Sequence, residues 1–132
     1  MEPITQAPLA PLGPAADTTV QAVFQATARA VEGDRLKQEA LQYNQPAGYH
    51  RALREYPECQ YVRALLAVRR QLSAMAKERR DEAAKVDDRG RGAWQAEQIT
   101  AAMAQVAQGT MTWLDEVLGR NTAKAPAEET CL

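Results

Sequence analysis

The chain is short of the side chains that carry most protein chemistry. Its 132 residues include one histidine, one phenylalanine and two cysteines. A single histidine cannot supply the two Glu-x-x-His pairs of a helical di-iron site, and with two distant cysteines it has no zinc spacing. Cys59 and Cys131 form no redox motif and read as two reduced thiols, with nothing further to support a disulfide. No glycine-rich phosphate loop is present. No apolar run approaches the ~20 residues that span a bilayer. The N-terminus carries Glu2 rather than a basic region, and Pro3, Pro8, Pro11 and Pro14 break its apolar residues, which is not the pattern of a signal peptide. The net charge is -1, so no global field draws nucleic acid or basic partners. These absences predict a soluble protein, made in the cytoplasm, with no cofactor, no metal, no membrane span and no small-molecule substrate.

What is present is helical periodicity. No stretch alternates as a strand does, and no repeat of 20–50 residues is evident. Three stretches of similar length, about 18–43, 58–86 and 93–118, are patterned as helices and joined by short loops. Val20, Val23, Phe24, Thr27, Ala28 and Val31 fall on one face of the first. Gly33-Asp34 then interrupts it, and Leu36, Ala40 and Tyr43 are out of phase with the earlier stripe, which predicts a kink or a fresh cap near Gly33. Residues 44–48 have loop chemistry. A short helix is expected over 49–55, stopped by Tyr56-Pro57, because the residue before proline avoids the α region. Pro57 suits the first turn of the next helix. Leu65, Leu66, Leu72 and Ala76 lead the apolar stripe of the second long helix. Met103, Val106, Trp113 and Leu114 lead that of the third, and Gly119 supplies its stop.

The fold expected is all-α: an antiparallel three-helix bundle or elongated helical hairpins, with one short extra helix. Three parts are expected: a Pro/Ala-rich extended tail over 1–16, a helical domain over 17–119, and a polar tail over 120–132.

Candidate sites are few. A base–nucleophile pair of His50 with Cys59 can be drawn, but the surrounding residues match no cysteine hydrolase and imply no third group. Arg89-Gly90-Arg91-Gly92, ahead of a helix N-terminus, could hold a phosphate or carboxylate, although Asp87 and Asp88 oppose it. Residues 49–86 carry nine Lys/Arg against five Asp/Glu, whereas 87–119 carry two against five. Within the basic part, Arg63, Arg70 and Lys77 recur every seven residues, with Arg80 nearby. Such a stripe could neutralise phosphates or pair with the acidic third helix. Trp94 and Trp113 read as partner anchors, one near each end of the third helix and on roughly the same side. Pro8, Leu9 and Leu12 in the N-terminal arm read as a docking segment.

Ala101, Ala102, Ala104, Ala107 and Gly109 leave the third helix slim, suited to close approach by another helix. This Ala- and Gln-rich helical texture resembles that of small bacteriophage particle proteins, such as internal, connector or tail-associated components. The resemblance is one of composition and implies a virion or other large assembly. The function expected is therefore non-enzymatic: a structural, assembly or adaptor protein that packs with copies of itself or onto a larger complex. A nucleic-acid-binding module using the basic stripe is the alternative, and a secretion-associated helical protein or chaperone is a third reading.

Overall fold

The computed structural model describes residues 14–85 and 91–120, and among these every regular element is a helix. Helix α1 runs Pro14–Gln42 and α2 Pro46–Glu55; a 3-10 helix follows over Pro57–Tyr61, then α3 over Val62–Ala83 and α4 over Arg91–Leu118. At about 1.5 Å per residue, α1 and α4 are each roughly 42 Å long and α3 about 33 Å. The three rods are thus less equal than the sequence suggests, because the stretch expected as one helix over 58–86 opens as a 3-10 turn and its α-helix runs only Val62–Ala83.

The architecture is an antiparallel three-helix bundle whose second arm is broken. Val20, Val23 and Phe24 of α1 pack with Leu72 and Ala76 of α3 and Met103 and Ala107 of α4. Further along, Ala26 and Ala30 meet Leu65 and Leu114. Residue numbers rise together on α1 and α4 and fall on α3, so α3 runs against both neighbours. Alanine supplies much of this core, which lets the helix axes approach closely.

α1 continues through Gly33 as one helix. The fresh cap expected there as one alternative does not occur, and a change of packing partner accompanies the phase change in the sequence. Along α1 the buried positions move from Val20, Val23 and Phe24 to Ala26 and Ala30, then to Gly33 and Ala40. The helix stays helical while its buried side rotates from the α3–α4 pair toward α2 and the 3-10 turn. Ala28 and Val31, expected on the core face, are accordingly exposed.

α1 begins at Pro14, three residues ahead of the boundary expected at Asp17. Proline is tolerated there because the first-turn N–H groups have no helical partner anyway. α2 likewise opens on Pro46, earlier than expected.

Two helix ends close in the same way. Asn44, at φ 53°, and Gly119, at φ 70°, occupy the left-handed region. Gln45 N–H bonds to Ala40 O at 2.8 Å and Asn44 N–H to Leu41 O at 3.3 Å. Arg120 N–H bonds to Asp115 O at 2.7 Å and Gly119 N–H to Glu116 O at 3.1 Å. Both are Schellman closures, which satisfy the last carbonyls of a helix.

Candidate interaction surfaces

A polar cluster fixes the end of the bundle where α4 finishes. Glu58, 2 % exposed, lies in the first turn of the 3-10 helix. Its Oε2 accepts from Arg29 Nε of α1 at 3.1 Å and from Arg120 Nη1, just past α4, also at 3.1 Å. Arg29 further donates to Glu55 O and lies 4.9 Å from the Tyr56 ring centroid. Arg120 reaches Asp115 at 3.3 Å. Burial pushes the Glu58 carboxyl up, but its backbone N–H and the two guanidiniums outweigh this and hold it below the ordinary glutamate range. Three elements are tied at one carboxylate. Sequence reasoning missed this cluster, because its partners are far apart in the chain.

Beside it, Cys59 is 1 % exposed, under Gly33 of α1. Burial pushes its thiol up. His50 is exposed on α2, with its ring 5.7 Å from that of Tyr49. The imagined pairing thus sets a sealed thiol against a surface imidazole. Cys131 lies outside the described residues. Among the described residues no group of three His, Cys, Asp or Glu side chains could hold a metal ion, and no helix is long and apolar enough to cross a membrane.

The basic residues divide. Arg63 and Arg70 are exposed. Lys77 pairs with Asp81 on its own helix at 2.8 Å. Arg79 donates to Thr100 Oγ1 of α4 at 2.7 Å, and Arg80 is exposed with partners of its own. Arg89 lies outside the described residues, and Arg91 is exposed at the start of α4. Gly92 is buried, and a Cβ built on it would come 2.5 Å from Glu82 O and 3.1 Å from Lys85 O. This glycine therefore presses the first turn of α4 against the carbonyl end of α3. Chain oxygens, rather than open space for an anion, face it there.

The two tryptophans do not share a side. Nineteen positions amount to just over five turns and leave about 100° of rotation. Trp94 is 59 % exposed, whereas Trp113 is half-buried, edge-on to Tyr61 with ring centroids 5.3 Å apart. Trp113 forms one end of an open groove of about 410 Å³ between α3 and α4. Ala64 and Val68 line it from α3, and Val106 and Gly109 from α4, with Gln105 and Thr110 as its polar members. Its lining includes no α1 residue. Gln105 stands about 200° around the helix from the core residue Met103, so the groove opens away from α1. A Cβ at Gly109 would meet nothing within 4 Å.

A second concavity, of about 230 Å³, lies where α1 turns into α2, lined by Ala40, Leu41, Pro46, Tyr49 and His50 among others. Leu41 and Tyr43 nearby are 60 % and 61 % exposed. The remaining docking residues expected from sequence, Pro8, Leu9 and Leu12, lie outside the described residues. No known protein family, curated protein or solved structure matches this chain.

Proposed function

We propose that this is a non-enzymatic helical assembly or adaptor protein, which packs with copies of itself or onto a larger body such as a virion. One observation carries the reading: the α3–α4 groove has an apolar floor, one aromatic wall and no covering element among the described residues. Apolar surface of this kind is stabilised by burial against a partner. The exposed Trp94, Leu41 and Tyr43 add further contact points away from the core. Light scattering over a concentration series tests the self-packing form. A mass that rises with concentration supports it. A monomer at every concentration eliminates it and leaves docking onto a different protein.

The second reading is a nucleic-acid-binding module. Arg63 and Arg70 favour it, since both are exposed on one line of α3 and neither forms an ion pair among the described residues. Lys77, held by Asp81, weakens it. Titration of duplex DNA at ~50 mM salt is the test, because phosphate contacts are strongest at low salt. No binding there removes the reading.

A further inference from the structure

We infer that the groove between α3 and α4 receives the proline-containing arm Pro8–Leu9–Ala10–Pro11 of a second copy of this chain; the inference rests on the self-packing reading above and names its contact.

The arm and the groove match in period, length and chemistry. Pro8 and Pro11 stand three residues apart, as do Leu9 and Leu12. Three residues make one turn of a polyproline II helix, so an arm docking in that form would present a proline edge beside a leucine edge. The groove extends along α4 from Gln105 to Trp113, eight steps or about 12 Å. From Pro8 to Pro11, three steps of polyproline II cover about 9 Å and fit within it. A polyproline arm leaves its carbonyls without internal hydrogen bonds, and it docks on aromatic-lined apolar grooves. Here Trp113, braced by Tyr61, is the aromatic wall. Gln105 supplies an amide and Thr110 a hydroxyl at the edge, although that hydroxyl already donates to Val106 O at 2.8 Å. Gly109, which has no side chain, leaves the floor low enough for a ring to settle.

Chain reach decides whether the arm comes from the same copy. Val20 of α1 lies level with Leu72 and Ala76 of α3, and Ala30 with Leu65. Pro14 is therefore level with the far end of α3, near residue 80, while the groove centres on 64–68. The near end of the groove, Gln105, is level with Val20 and so about 9 Å along the axis from Pro14, and its opening lies roughly 10–15 Å to the side at usual helix spacing, about 13–17 Å away in all. From Pro14, Pro11 reaches about 10 Å and Pro8 about 20 Å, even fully extended. Pro8 can touch the near end but Pro11 cannot, so an arm with all of residues 8–11 seated in the groove belongs to another copy. Each copy then offers one arm and one groove, which permits a reciprocal dimer or an open chain of copies.

Sedimentation equilibrium on the full chain tests this with two variants. Pro8→Ser/Leu9→Ser/Pro11→Ser alters the arm at positions outside α1. Gly109→Lys fills the groove at a position where a Cβ meets nothing, and circular dichroism confirms that both variants remain helical. Each variant alone should associate about tenfold more weakly, or worse. Mixed one to one, the two should recover a heterodimer, since one supplies an intact arm and the other an intact groove. Wild-type protein that associates while both variants match it overturns the inference and leaves self-packing standing; a wild type that stays monomeric overturns both. In a Trp94→Phe background, Trp113 emission should move only as copies associate. A difference in Trp113 emission between arm variant and wild type, seen while both are monomeric, would place a segment of the same chain in the groove and overturn the exchange.

Discussion

Gly33 and Tyr56 meet so closely that no methyl group fits between them: a Cβ built on Gly33 would lie 2.5 Å from the Cβ of Tyr56 and 2.8 Å from that of Cys59. Both neighbours are first side-chain carbons and move only with their backbones. Gly33→Ala should therefore destabilise the protein by about 2 kcal/mol, despite the better helix propensity of alanine. Gly109→Ala makes the contrast. Its Cβ meets nothing, so propensity acts alone and the change should stabilise by roughly 0.5–1 kcal/mol. Urea unfolding of the two variants beside wild type measures both. Equal signs would refute the steric account of Gly33.

The Glu58 cluster makes stability depend on acid. The folded carboxyl is held below its ordinary value of 4.5, so it favours folding fully above that value. The contribution is lost as pH falls through the lower, folded value. Glu58→Gln should cost about 2 kcal/mol at neutral pH, in line with hydrogen bonds to charged groups. The difference from wild type should shrink below pH 4.5. Unfolding midpoints at pH 7 and pH 3 supply the check, and a constant difference would count against the cluster.

Trp94 and Trp113 should separate in fluorescence. In Trp113→Phe protein the remaining Trp94 should emit at long wavelength and be strongly quenched by iodide. In Trp94→Phe protein the remaining Trp113 should emit further to the blue and resist quenching. Trp94→Ala should leave stability within about 0.5 kcal/mol of wild type, as an exposed site does. Trp113→Ala, which removes the ring packed on Tyr61, should cost about 2 kcal/mol.

Cys59 should be chemically silent in the native protein. It is sealed under α1, and its thiol is pushed up by burial, so little thiolate is available. In a Cys131→Ser variant, labelling by a disulfide reagent at pH 8 should be slow until urea unfolds the chain. Rapid native labelling would show that the Gly33 crossing opens readily.

Much of the fold was legible in the sequence because it rests on local chemistry. Pro57 divides the middle arm, Gly119 closes α4, and the period of Leu65, Leu72 and Ala76 marks a buried stripe. Gly33 was not legible in the same way. A glycine that breaks a helix and one that admits a neighbour look alike locally, and here the deciding neighbours, Tyr56 and Cys59, lie on another element. The rotating face of α1 posed the same difficulty, since a phase change resembles a kink until both sets of partners are known. Glu58, Arg29 and Arg120 gave no signal, as nothing in their spacing announces a shared carboxylate. The groove was half legible: the small residues of α4 pointed to close approach, while Ala64 and Val68, which complete it, stand on another element and carry no local sign of a groove.

The change of partner along α1 also grades the fold from one end to the other. Helix α4 packs on α3, α1 and the 3-10 turn, so the first half of α1 sits in a three-sided core. Beyond Gly33 the covering comes from α2, and the buried side chains there are little more than Ala40 and Ala52. So small an apolar contact holds its backbone amides weakly against opening. Residues 36–55 should then exchange their amide hydrogens by a separate, low-energy opening, while those near Leu65, Leu72, Met103 and Leu114 exchange only when the whole chain unfolds. Exchange of that pattern would mark the α1–α2 elbow as a hinged extension on a firm trunk, which loosens and re-closes without disturbing the groove at the other face.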